Sequence, residues 1–413
     1  MAPDASSLPR FTRDLPGTGG RIKDGPDDFI VDEIPLYLPT GKGTHLYLLI
    51  EKRNVTTFRA IQLLAKRLGR KQRDFGVAGL KDAAATTRQY VSIEHVAPEE
   101  VDGLELPGIK IVDRTLHGNK LKRGHLKGNR FSVVIRDPSA GSEERAREVL
   151  RVLARRGVPN YFGPQRFGVL KNTHRLGRAL LLGDYRGFAD ELIAAPRESL
   201  DPHYERVIAL YRSGDFKEAA QALRPSFEYE RRFLDALHRT AGDCERASRF
   251  VDRRVQELYL SAYQSDLFNK VVAARIDGID RVMEGDAAFI HRNGACFLVD
   301  DAVIEQPRAE SFEISPSGPL FGSRLLRAAG VPGKMEDELL LAESIDLAAM
   351  SAARHMPRGA RRPLRVPLTD VEAAHDDTKG LCLKFSLPPG SYATVVLDEI
   401  MKETSPPRAD GPA

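Results

Sequence analysis

FGVAGLKDAAATTRQYVSI, running from Phe75 to Ile93, opens with a small apolar run, Phe75-Gly76-Val77-Ala78-Gly79, that predicts a buried strand. The run ends in Leu80-Lys81-Asp82, a small-residue turn follows at Ala83-Ala84-Ala85, and Thr86 to Ile93 predicts a second strand rich in Thr, Tyr, Val and Ile. A carboxylate at the end of a buried strand, with a lysine beside it, is held more rigidly than one on a loop, and catalysis needs that rigidity. The same Asp82 could equally cap or turn the chain, the commonest use of aspartate at a strand end. Local chemistry leaves both readings open.

Upstream, Arg21 to Glu33 carries a Pro-Asp turn signal and then the alternation Phe29, Val31, Glu33 of a strand, with Lys23 and Phe29 on either side of the turn. His45 to Glu51 alternates Leu46, Leu48 and Ile50 as another strand. The intervening Gly41-Lys42-Gly43-Thr44 is no phosphate loop, because Leu36 stands where the first glycine would be and Ser or Thr does not directly follow the lysine. Thr56 or Thr57 caps a helix with Phe58, Ile61, Leu64, Ala65 and Leu68 at a 3.6 period, closed by Gly69. Five basic residues and no acidic one lie between Lys66 and Arg73.

Downstream, Ile109 to Val112 predicts a short strand, and the Gly-rich HGNKLKRGHLKGNR (His117 to Arg130) carries Lys120, Lys122, Arg123, Lys127 and Arg130 without a carboxylate. Phe131 to Arg136 alternates as a strand, which makes Phe131 a core residue by periodicity alone. Glu143 to Arg156 is an amphipathic helix with its acids first and its arginines last, as the helix dipole favours. GVPNYFGPQRFG (Gly157 to Gly168) packs aromatic and amide side chains among glycines and prolines and predicts a fixed, irregular path at a domain junction. From about 170 to 350 the pattern is mostly helical. Arg354 to Arg365, with five arginines and two prolines, reads as a basic linker. Leu381, Leu383, Phe385 and Leu387 alternate as a strand, and Tyr392 to Lys402 predicts a last helix. Strand character thus returns at the end after a helix-rich block, the pattern of one domain interrupted by an insertion. The expected division is a flexible lead-in over 1–20, a first catalytic part over 21–157, the insertion over 158–350 and a second catalytic part over 351–413.

The chain has 413 residues, 42% hydrophobic and 29% charged, with a net charge of only +4, so basic character is local rather than global. No run of about 18 apolar residues is present, so no membrane span is expected. The polar start MAPDASSLPRFTRDLPGTGG lacks the apolar core of a signal peptide, and three scattered cysteines fit a reducing compartment, so a cytoplasmic location is expected. The cysteines and ten dispersed histidines show no metal-ligand spacing, and no nucleotide fingerprint or nucleophile elbow is present. One strand-end aspartate, a neighbouring lysine and basic patches fit a reaction on a polyanion without cofactor or metal. An RNA nuclease would show paired histidines or clustered carboxylates.

Several long motifs resemble the TruD family of tRNA pseudouridine synthases: GLKD with TRQ (Gly79 to Asp82, Thr87 to Gln89), DFIVDE (Asp28 to Glu33), LKGNRF (Leu126 to Phe131) and GVPNYFGPQRFG, in the family's order. AYQSDLFNKVVAARI (Ala262 to Ile276) and LKFSLPPGSYATVVLDEIMK (Leu383 to Lys402) continue the match. The resemblance implies an α+β fold: a pseudouridine-synthase catalytic domain with a central mixed sheet, interrupted by a helix-rich TruD-specific insertion domain. It implies isomerisation of a tRNA uridine, at position 13, by a monomer that needs no cofactor and no metal. It further implies Asp82 as the catalytic aspartate, Phe131 as the aromatic that stacks on the target base, and Asn129 as the group holding the aspartate or the flipped nucleotide. Lys23 and Phe29 would line the same site, with Lys23 rather than Lys81 as the charge partner of Asp82. Ala83-Ala84-Ala85 departs from the larger, basic residues of many relatives. The basic segments 66–73, 117–130 and 354–365 would grip tRNA phosphates. The rival function is an RNA-binding or tRNA-folding protein in which modification is incidental.

Overall fold

The computed structural model describes residues 8–81, 85–195 and 203–402. These divide into two compact units, one of residues 10–158 with 366–402 and the other of residues 159–365 with 8–9. The return to the first unit falls at Val366 rather than at 351. The reason is local: Ala360–Pro363 is a strand of the second unit's own sheet and pairs with Ile314–Leu320. Within residues 10–18, expected as part of a flexible lead-in, Thr12 and Thr18 are buried and Phe11 and Leu15 pack against an apolar core. Glu399 accepts hydrogen bonds from the backbone N–H groups of Phe11 at 2.6 Å and Thr12 at 2.9 Å.

The first unit is built on an eight-stranded sheet. Its strands are β1 (Phe29–Pro35), β2 (His45–Arg53), β3 (Phe75–Val77), β4 (Thr86–Glu94), β5 (Ile109–His117), β6 (Leu126–Ile135), β7 (Thr369–Asp376) and β8 (Gly380–Leu387), in the order β7-β8-β6-β1-β4-β2-β5 with β3 beside β4. Only β1–β4 is parallel; every other pair is antiparallel, so the sheet is mixed. Two apolar cores pack on it. One joins β2, β4 and β5 to α1 (Thr57–Arg67) through Leu46, Leu48, Ile50, Ala60, Leu64, Val91 and Ile93. The other joins β1, β6 and β8 to α2 (Ser142–Arg156) and α3 (Ala393–Met401) through Val31, Phe131, Val133, Leu150, Leu383, Phe385 and Val396. Each fully buried side chain of this size stabilises the fold by about 1.5–3 kcal/mol.

The parallel pairing is short. Strand β1 runs beside β4 only from Ile30↔Thr86 to Asp32↔Arg88, and β3 takes up the same edge of β4 from Val77↔Val91. Between them β4 has a gap at Gln89 and Tyr90. The Glu33 carboxylate enters it and accepts from the Tyr90 backbone N–H at 3.3 Å.

The second unit is mostly helical, as its sequence predicts. Its longest helix, Arg253–Ala274, buries Tyr263 and Phe268. The GVPNYFGPQRFG segment lies against that helix: the Asn269 side-chain amide bonds both the N–H and the carbonyl of Phe162, at 2.8 and 3.0 Å. Arg166 reaches Ser261 and Ser265 at 2.8 and 3.0 Å. A four-stranded sheet completes the unit. Among the described residues no helix is long and apolar enough to cross a membrane.

Candidate active site

All the described site residues lie in the first unit, on and beside β1. Phe29, Val31 and Glu33 alternate onto one face of β1, and the register sets Val133, Phe131 and Asn129 of β6 opposite them. The Phe29 and Phe131 rings meet edge to face at 6.2 Å, and Phe131 stacks on Phe385 of β8 at 5.4 Å. Phe131 is thus a core residue, 7% exposed, as its periodicity predicts. Lys23 stands before the turn with φ +64°, in the left-handed region that side chains avoid. Its ammonium lies 4.7 Å from the centre of the Phe29 ring.

Glycine explains how Asn129 is placed. A Cβ at Gly128 would sit 2.5 Å from the Leu387 carbonyl oxygen, so only glycine lets β8 close on β6 immediately before Asn129. Asn129 Oδ1 then accepts from Lys81 Nζ at 2.5 Å, and the same ammonium lies 3.3 Å from Glu33 Oε2. Both side chains of this pair are enclosed, at 6% exposure for Lys81 and 1% for Glu33. Burial pushes the Glu33 carboxyl above its ordinary range, against the opposing pull of the Lys81 charge and the Tyr90 N–H.

Asp82, with Ala83 and Ala84, lies outside the described residues, and so does the expected pairing of Lys23 with Asp82. Of the other expected residues, the structure sets Lys23 against Phe29 and Phe29 against Phe131, and places Asn129 two residues before Phe131 on the same face of β6. Sequence reasoning gave Lys81 a minor place and did not single out Glu33. Their pairing crosses the chain from residue 33 to 81 to 129, and no local pattern announces it. The one available signal was a charged residue at the inward position of the Phe29-Val31-Glu33 alternation.

The basic segments divide. Lys66, Arg67, Arg70, Lys71 and Arg73 are exposed, as are Lys122, Arg123, Lys127 and Arg130. Lys120 donates to the Arg73 carbonyl at 2.6 Å, so the two segments adjoin in one basic surface. The expected phosphate grip at 354–365 fails for Arg361 and Arg365, which are 8% and 1% exposed. Arg361 is committed to Glu336 at 2.8 Å and Arg365 covers the Phe312 ring at 4.3 Å. Among the described residues no group of three or more His, Cys, Asp or Glu is placed to hold a metal ion.

A family model described as tRNA pseudouridine synthase D (TruD) matches residues 7–400. A Geobacter metallireducens protein named tRNA pseudouridine synthase D is 50% identical over 397 residues, covering 96% of this chain and 98% of its own. One of the same name from Geotalea daltonii is 48% identical over 395 residues, covering 95% and 99%. The crystal structure of a candidate tRNA pseudouridine synthase D from Methanosarcina mazei superposes with a TM-score of 0.82 at 27% identity, covering 96% of this chain and 97% of that one. A mixed central sheet interrupted in sequence by a helix-rich unit is the architecture of a pseudouridine synthase carrying an insertion. The chain belongs to the TruD family of tRNA pseudouridine synthases.

Proposed function

We propose that the protein converts a uridine of tRNA, at position 13, to pseudouridine, with Asp82 as the reacting carboxylate. The observation that carries this reading is the enclosed Glu33–Lys81–Asn129 cluster, which holds the residue immediately before Asp82. A protein that only binds RNA has no use for buried charges at that point, since their desolvation is costly.

The reaction conserves atoms. The N1–C1′ bond breaks, the uracil rotates, C5 bonds to C1′, the C5 proton leaves and N1 gains one. The Asp82 carboxylate either attacks C1′ or removes the C2′ proton to give a glycal; both routes lead to the same product. The target base must first leave its stack, at a cost of a few kcal/mol, and an aromatic partner returns about 1–3 kcal/mol. Phe131, which lies between Phe29 at 6.2 Å and Phe385 at 5.4 Å, takes that role. Asn129 orients the nucleotide or the aspartate, and Lys23, held over Phe29 and at the site's rim, offers the charge partner for Asp82. The basic surface of segments 66–73 and 117–130 follows the phosphate backbone. The reading carries with it a monomer acting in the cytoplasm, without metal or cofactor.

The test is incubation with an unmodified tRNA transcript followed by carbodiimide-dependent primer extension. A stop at position 13 is expected; a transcript without any mark contradicts the reading.

A further inference from the structure

Gly79-Leu80-Lys81 runs outside any strand, yet its backbone is bonded by buried side chains. The Lys81 N–H donates to Thr57 Oγ1 at 2.9 Å, and the same hydroxyl donates to Gln89 Oε1 at 2.8 Å. Gln89 Nε2 in turn donates to the Gly79 carbonyl at 3.4 Å. Lys52 Nζ donates to the carbonyls of Val55 at 2.8 Å and Lys81 at 3.4 Å. Thr57, Gln89 and Lys52 are 1%, 0% and 0% exposed. Polar groups are costly to bury, and three of them under one short loop form a cradle built from β2, α1 and β4.

Ordinary structural needs do not account for it. Helix α1 already has its cap, because Thr56 accepts from the Arg59 N–H at 3.1 Å, so the Thr57 hydroxyl is not required to start the helix. Gln89 continues the inward stripe of Val91 and Ile93, where an apolar side chain would serve the core better. On the far side of 82–84 the chain is also fixed. Ala85 is 1% exposed, its carbonyl accepts from Asn54 N–H at 3.4 Å, and β4 begins at Thr86.

We propose that Thr57 and Gln89 are positioning residues for the isomerisation. They fix the backbone at Lys81 and thereby set where the next residue, Asp82, presents its carboxylate. The proposal rests on Asp82 being the reacting group. A misplacement of about 1 Å at a reacting centre costs about 100-fold in rate, which gives so indirect a contact its leverage.

The test compares wild type, Thr57→Val, Thr57→Ser and Gln89→Met in single-turnover conversion of a tRNA transcript, with tRNA affinity and melting temperature measured alongside. Thr57→Val keeps the shape of the side chain and removes its bonds to Lys81 and Gln89. Its rate should fall ~10- to 100-fold while tRNA affinity stays within about two-fold of wild type, and Thr57→Ser should recover most of the rate. Gln89→Met should slow the rate in the same way, and it carries the test if Thr57→Val does not fold. The double variant should be less impaired than the product of the two single effects, because both substitutions remove one shared bond. A full rate in Thr57→Val, a loss confined to affinity or stability, or a serine variant as slow as the valine one overturns the proposal. If wild type itself makes no pseudouridine, the reaction assignment falls and the positioning role falls with it. If wild type is active and the valine variant equally fast, only the positioning role falls.

Discussion

The ammonium of Lys81 lies 2.5 Å from the side-chain oxygen of Asn129, its partner 48 residues further along the chain. The register of β1 against β6 sets Glu33 directly opposite Asn129, so the two strands hold Lys81 between a carboxylate and an amide. A buried ion pair of this kind is weak support for stability, because the desolvation of both charges offsets much of their attraction. It is better understood as a device that fixes one geometry beside Asp82.

Glu33 gives that device a pH signature. Burial raises its folded-state pKa above the ordinary 4.5. The folded protein therefore binds this proton more tightly than the unfolded chain. The associated stability is fully present below about pH 4.5 and is lost as pH rises through the higher folded value. Glu33→Gln cannot titrate. Melting temperatures measured from about pH 4.5 to neutrality should move in favour of the variant, relative to wild type, as pH rises. A gap that stays constant, or widens in favour of wild type, contradicts the assignment.

The arginines and lysines should separate by function. Replacing Lys122, Arg123 and Lys127 with glutamine should weaken tRNA binding and reduce the slope of log affinity against log salt by about one for each charge that meets a phosphate. These side chains are exposed, so stability should change by no more than about 0.5 kcal/mol each. Arg361→Ala should do the opposite. It strands Glu336 in the second unit, where the paired side chains are 2% and 3% exposed, and should cost about 3–5 kcal/mol. Binding isotherms across a salt series and denaturant melts of both variants make the comparison. A salt slope that the triple substitution leaves unchanged would remove this surface from the RNA path.

His291 predicts where the second unit becomes sensitive to acid. Burial, with the Arg365 charge near it, pushes the imidazole down to about 4 from its usual 6.5, and its Nε2 lies 2.9 Å from Ser315 Oγ. The folded state favours the neutral ring. Its contribution is present above about pH 6.5 and is lost as pH falls through about 4, at most about 3 kcal/mol. His291→Gln removes the titration, so stability should fall less steeply than in wild type between those limits. Equal slopes in the two proteins would show that other groups govern the acid limb.

Much of the fold was legible because its central strands alternate cleanly. Phe29-Val31-Glu33, Leu46-Leu48-Ile50, Phe131-Val133-Ile135 and Leu381-Leu383-Phe385 each put one face into a core, and all lie in strands. The edges were read poorly. Strand β7, TDVEAAHD, was missed and β5 was predicted four residues long against Ile109–His117, because edge strands carry charge and bury little. Ile314–Leu320 contains Pro316 and Pro319 and pairs on both sides, a placement that proline argues against. In the site, Asn129 and Phe131 came from motif resemblance. Lys52 and Thr57 gave no local hint of their bonds to Lys81, 29 and 24 positions away, and Glu33 showed only as a charged residue at an inward strand position. The arginines of 354–365 read as a basic linker for tRNA phosphates because composition does not reveal that Glu336 waits for one of them.

The most direct measurement sets wild type beside Asp82→Asn on one unmodified tRNA transcript, with pseudouridine mapped by carbodiimide-dependent primer extension and tRNA binding measured on both proteins. The prediction is a stop at position 13 with wild type and none with the variant, at similar tRNA affinity. A mark left by Asp82→Asn, or no mark from wild type, contradicts the assignment of Asp82 as the reacting carboxylate.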